Sequence, residues 1–207
     1  MGGCGLTNIP SGIIERLQND QVVVFPTSTQ PGLACMPTST GLDRMFELKS
    51  RTDDKPVSIG VASLQAASSL VHIPEYAEEF LADFPAGSIT LLLQAIQVLD
   101  LRLGGELVAI RVLSHPLANL LAQKVGAITA TSANPAGQKV ETDVFNAAAS
   151  LGLGPDCVLA GHCPGGLPST LVRFIEADDN SAALSAIVMR EGIVPPQDVK
   201  AWQPKAR

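Results

Sequence analysis

Aromatic residues are scarce. One Trp, one Tyr and six Phe make up 4% of the 207-residue chain. A surface that stacks many bases needs more of them, so aliphatic side chains must fill the core. Excess positive charge is missing too. The formal net charge is −6 and the pI is near 5.0, which disfavours tight non-specific nucleic-acid binding but leaves room for a small basic cleft on one face. The N-terminal MGGCGLTNIP has no basic region followed by an apolar one, and no apolar run is long enough to span a bilayer. These absences predict a cytoplasmic protein with no membrane association. Cys4, Cys35, Cys157 and Cys163 include no C-x-x-C pair, and His162–Cys163 has no second ligand pair at zinc-finger spacing. No metal site is expected, and the thiols read as free cysteines in a reducing compartment.

Common nucleotide and hydrolase loops are also absent. There is no G-x-x-x-x-G-K-[ST] and no G-x-S-x-G, and the G-x-G at Gly152–Gly154 follows a helical stretch rather than a strand. The three histidines suggest no triad.

What is present is an α/β pattern. Helices are predicted from Pro10 to Asn19, from a Ser39 or Thr40 cap through Lys49, from Ser63, from Pro74 through Leu81, from Pro116 to Val125 and from Thr142 to Leu151. Strands are predicted at Gln21–Phe25, Val57–Ala62, Ser88–Ile96, Leu107–Val112, Ala127–Thr131, Cys157–Ala160, Leu171–Ile175 and Leu184–Met189. Interleaved strands and helices, with the last strands close together, predict one domain over 1–207: a twisted mixed sheet with flanking helices. Its core runs from about 10 to 192, and 193–207 is expected to be a loosely held tail.

Polar segments recur at the predicted strand ends, where ligands of open α/β sheets bind. They are PTST (Pro26–Thr29), KSRTDDKP (Lys49–Pro56), AIRV with Arg111, TSAN (Thr131–Asn134), PST (Pro168–Thr170) and MREG ending at Gly192. Lys49, Arg51 and Lys55 put three cations within seven residues, enough to neutralise a triphosphate; a solvated loop relieved by Asp53 and Asp54 is the plain alternative. Arg111, flanked by Ile110 and Val112, must be paired or face a cleft. A substrate carboxylate and a structural ion pair are its two candidate partners. Ser132 and Asn134 offer a hydroxyl and an amide, or simply a self-bonded turn before Pro135.

The order PT-x-T-x-x-GL, K-x-R-x-x-x-KP, VAIRV-x-x-HP, TSAN-x-x-G, PST and R-x-G resembles the YrdC/TsaC family of threonylcarbamoyl-AMP synthases, from roughly Ile13 to Gly192. The resemblance implies a YrdC-like sheet with a concave basic cleft. It implies a nucleotidyltransferase that turns L-threonine, bicarbonate and ATP, with Mg2+, into threonylcarbamoyl-AMP and pyrophosphate for tRNA threonylcarbamoyladenosine modification. A tRNA or a tRNA-modification transferase complex is the implied downstream partner. Thr29, Arg111, Ala130 and Ser169 would hold L-threonine. Lys49, Arg51, Lys55, Ser132, Asn134 and Arg190 would hold ATP, with Lys49 and Arg51 also implied as catalytic. The PTSTQPGLA loop would wall the amino-acid pocket, with Gly32 allowing close backbone approach.

The chain departs from the family pattern in places. Ser28 and Pro31 stand where PTET-x-YGL has an acid and a tyrosine. Ser50 and Thr52 replace the glycine and proline of K-G-R-P, Pro85–Thr90 reads PAGSIT for P-G-P-x-T, and Arg173 replaces a common acid. The cations stay while the substrate loops change. Two alternatives therefore stand beside the synthase: an RNA-binding module using the same cleft, and an adenylate-forming enzyme with another amine substrate.

Overall fold

Along the strand LVAIRV, Val108 and Ile110 are buried while Leu107 and Ala109 are half-exposed. Side chains alternate across a strand, so Arg111 shares the face of Leu107 and Ala109 and not that of the aliphatic core. That alternation decides which side of the sheet carries chemistry. The structure, a computed structural model, describes residues 8–176 and 184–204. Cys4 lies outside them.

In chain order the elements are α1 (Ser11–Gln18), β1 (Val23–Phe25), β2 (Gly32–Ala34), α2 (Ser39–Lys49), β3 (Ser58–Val61), α3 (Ala77–Ala82), β4 (Ile89–Gln94), β5 (Leu107–Val112), α4 (Pro116–Val125), β6 (Ile128–Ser132), α5 (Val144–Ser150), β7 (Thr170–Glu176), β8 (Leu184–Arg190) and α6 (Pro196–Ala201). Their strands form one sheet in the order β1-β2-β6-β3-β5-β4-β7-β8. β3–β5 and β4–β7 are parallel and the other neighbours are antiparallel, so the expected mixed sheet is present. One buried cluster joins α2, α3, α5 and α6 to the sheet, including Met45, Phe80, Ala147 and Val199. A second joins α1 and α4 through Ile13, Leu17, Leu121 and Ile128.

Four local expectations change. The loop PTSTQPGLA contains a strand: β2 pairs with β1 on one side and β6 on the other. A three-residue strand opening on Pro-Gly has no periodicity to announce it, and its neighbours impose it. The predicted strand Cys157–Ala160 is a 3-10 turn (Pro155–Cys157) followed by a single bridge from Val158 to Val24. The helix expected from Ser63 shrinks to one 3-10 turn, Gln65–Ala67. The cap of α2 is Thr38, whose Oγ1 accepts from the Gly41 amide at 3.1 Å.

The tail differs most. α6 docks instead of hanging free, with Val199 fully buried and Trp202 9% exposed. The Trp202 indole donates to Asp83 Oδ2 at 3.0 Å and meets Phe80 edge-to-face at 4.9 Å. Tyr76, Phe80, Phe84, Phe174 and Trp202 form one aromatic cluster, in which Phe80 and Phe174 meet Trp202 of the tail. Each such pair adds about 0.5–1.5 kcal/mol beyond the burial of its area.

Candidate functional site

Arg111 is 9% exposed. One terminal nitrogen donates to Ser28 Oγ (3.3 Å), Thr29 Oγ1 (3.2 Å) and the Gly87 carbonyl (3.1 Å). All three acceptors are neutral, and no carboxylate pairs with Arg111 among the described residues. Its Nε and second terminal nitrogen make no hydrogen bond to the described residues. The structural-ion-pair reading therefore fails there. Burial, and then the nearby Arg190, lower the Arg111 pKa to about 10, so it stays cationic at neutral pH. A buried guanidinium bonded only to neutral groups, with donors to spare, is a site for an anion, and the planar fork matches a carboxylate.

A cavity of about 380 Å³ opens over this group, a size suited to a small ligand. Thr29, Arg51, Arg111, Ala130, Ser132, Ser169 and Arg190 line it, so residues from six separate segments converge. Ser169 is buried, and its hydroxyl shares a 2.7 Å hydrogen bond with Thr90 Oγ1. Arg190 donates to the Ser169 carbonyl at 2.9 Å. A Cβ at Gly192 would lie 2.4 Å from the Pro168 carbonyl oxygen, so only glycine lets the two last motifs touch. At Gly32 the close neighbour is the Phe25 ring, 2.6 Å from a would-be Cβ, so this glycine admits Phe25 beneath the cavity wall. The Ala130 carbonyl accepts from Ser58 Oγ at 2.6 Å.

A second pocket of about 210 Å³ adjoins the first and shares Arg51 and Ser132 with it. Lys49, Lys55 and Asn134 complete the predicted set here. Arg51 folds back onto its own loop, donating to the carbonyls of Lys55 (2.6 Å) and Pro56 (3.1 Å). Burial and Arg190 lower its pKa. Ser50, in the place of a family glycine, holds φ +50°, a left-handed conformation that glycine adopts more cheaply. Lys55 is exposed. Lys49 is not: it is 1% exposed, and its ammonium donates to the Ser132 carbonyl and, at 2.6 Å, to that of Asn134. Burial, and then Arg51, lower its pKa to about 8. Asn134 matches the self-bonded turn: its amide donates to the carbonyls of Pro135 and Gln138, and its oxygen accepts from Ser132 Oγ. Among the described residues, no acidic side chain lines either pocket.

Sequence reasoning missed Gly87, Thr90 and Ser58 as supports of these groups. Thr90 and Ser58 lie inside strand patterns, and Gly87 acts through its carbonyl, which no residue type announces. Ser28 stood in a quoted motif, but its contact with Arg111 crosses 83 residues.

Fold and site together define an α/β protein whose mixed sheet carries a cation-lined double pocket at its strand ends. The Sua5/YciO/YrdC family model, described as telomere recombination, matches residues 15–192, and the chain belongs to that family. The threonylcarbamoyl-AMP synthase of Bacillus subtilis is 34% identical over 156 residues, covering 72% of this chain and 44% of that protein. A crystal structure of Pyrococcus abyssi Sua5 complexed with L-threonine superposes with a TM-score of 0.76 at 27% identity, over 91% of this chain and 56% of that one. Escherichia coli YciO, at 19% identity and a TM-score of 0.72 over 90% of both chains, shares the fold. The chain spans about half the length of the Bacillus and Pyrococcus proteins. Among the described residues, no helix is long and apolar enough to cross a membrane.

Proposed function

We propose that the chain is a nucleotidyltransferase of the cytoplasm that makes threonylcarbamoyl-AMP and pyrophosphate from L-threonine, bicarbonate and ATP, supplying tRNA modification through a transferase partner. The observation that carries this reading is Arg111: a buried cation without a carboxylate partner among the described residues, with spare donors, in a cavity that adjoins a second, cation-lined pocket. Two names among the relatives support it, a threonylcarbamoyl-AMP synthase and a Sua5 bound to L-threonine.

Arg111 would grip the amino-acid carboxylate, with Thr29, Ser169 and Ala130 of β6 lining the same cavity. The amine and bicarbonate condense to the carbamate with loss of water. A carbamate oxygen then attacks the α-phosphorus of ATP, and pyrophosphate leaves. No side chain need exchange a proton with carbon. The protein's part is to place the carbamate against the α-phosphate and to neutralise the phosphates with Arg51, Lys55 and Arg190. Mg2+, implied as the companion of ATP, finds no carboxylate in the lining of either pocket among the described residues.

A second reading, adenylate formation on another amine, is favoured by one observation. Ser28 stands where the family pattern has an acid, and it touches Arg111 directly. One assay separates the two: pyrophosphate release from ATP with L-threonine, bicarbonate, both or neither. Release that needs both, and is lost in Arg111→Gln and Arg51→Ala, supports the synthase. ATP binding without such release removes L-threonine as the substrate and directs a screen of other amino acids.

A further inference from the structure

Lys49 is among the largest fully buried side chains. It closes α2, yet both of its acceptors are main-chain carbonyls, one at the end of β6 (Ser132) and one in the loop after it (Asn134). No carboxylate pairs with it among the described residues. An ammonium has three donors, and two are spent inside the protein. A buried, unpaired cation is costly, so the carbonyls it holds point to its use.

The 132–133 peptide is the informative one. Its carbonyl accepts from Lys49, and its other end, the Ala133 amide, donates to the Pro31 carbonyl at 2.9 Å. Pro31 leads into β2, whose Gly32 pairs with Ser132. One peptide thus links the cation to the PTSTQP loop that touches Arg111 through Ser28 and Thr29. A cation on one end of such a chain polarises the bond at the other. The return contact, from the Ala136 amide to the Lys49 carbonyl at 2.9 Å, ties the same loop to the end of α2.

We propose that Lys49 is a positioning residue: from inside the fold it orients the 132–133 peptide, and through it sets both the Arg111 pocket and the adjoining cation-lined pocket in register. The lowered pKa fits a group stripped of water and held by dipoles rather than by a counter-ion. The proposal deepens the function given above and rests on it for the identity of the two ligands.

Amide hydrogen exchange at Ala133, followed by NMR in Lys49→Gln and in the parent chain, tests it without any ligand. Loss of the charge-assisted bond is expected to speed that exchange by about tenfold. Separate titrations of ATP and of L-threonine are expected to weaken by similar factors, with the salt dependence of ATP affinity unchanged. Unchanged exchange at Ala133, or a loss confined to ATP with a shallower salt dependence, overturns the proposal and puts the ammonium on the phosphates. A parent chain that binds no L-threonine sinks the substrate reading and leaves the Ala133 result standing. If Lys49→Gln does not fold, the parent chain decides. ATP is titrated near about pH 8.5 in two buffers of unlike ionisation enthalpy. A positioning Lys49 takes up almost no proton, whereas uptake approaching one proton per ATP overturns the proposal.

Discussion

The Arg111 cavity and the Lys55 pocket share a wall but hold their cations in opposite ways. Arg111 stands on β5, a strand paired on both sides, and three acceptors from two other loops aim it. Lys55 rides on the connection between α2 and β3, which is secured chiefly by Arg51 bonding its own loop carbonyls. A small carboxylate offers two oxygens in one plane and rewards a fixed fork. A triphosphate offers many oxygens and tolerates a cation that moves. Under the proposed function, the contrast assigns the selecting to the rigid strand and the supply of charge to the loop.

The largest effect should come from the rigid side. Arg111→Gln is expected to lower kcat/KM for L-threonine by about 10³, the loss of two charge-assisted bonds, while the melting temperature holds because an unpaired buried cation has gone. Steady-state kinetics beside a thermal melt would read both, and a collapse of the fold would show that Arg111 is structural. Lys55→Ala should cost far less, about three- to tenfold in KM for ATP, with the penalty shrinking as salt rises. A salt-independent loss there would erase the contrast.

Two smaller effects sharpen it. The folded pKa of Lys49, about 8, lies below the ordinary lysine value of 10.5. The folded state thus binds fewer protons than the unfolded state between these values. The burial penalty is fully present below about pH 8 and fades as pH rises toward 10.5, so stability should climb across that window relative to Lys49→Met. Chemical denaturation at pH steps through this range would show it, and parallel curves for the two proteins would exclude it. The smallest change is Ser50→Gly, which relieves the left-handed backbone at the end of α2 and should stabilise by about 1 kcal/mol or less. A Ser50→Gly protein less stable than the parent would mean that loop flexibility in the unfolded chain outweighs the relieved strain.

Much of this was legible in the residues. An arginine inside an apolar strand has few explanations, and hydroxyls and cations at successive strand ends mark where a sheet opens to ligand. The bounds of β5 and α4 agree with their pattern residue for residue. The tail misled because PPQDVKAWQPKAR reads as polar and proline-rich, while Val199 joins the buried core and Trp202 finds its partners on α3 and β7. Asn134 could not be assigned between ligand and turn, because both uses need the same residue before Pro135.

By itself, the order of residues determined the alternation that puts Arg111 on the open face of β5, the run of three cations after α2 and the periodicity of the main helices. These depend on neighbours a few positions apart, where backbone geometry is the rule. Only the tertiary structure decided that Arg111 meets no carboxylate among the described residues, that Lys49 turns inward to carbonyls 83 and 85 positions away, and that Pro31 is hydrogen-bonded to Ala133. Those outcomes follow from which buried polar groups lie within about 3 Å of one another once the sheet is paired, and distance along the chain carries no record of that.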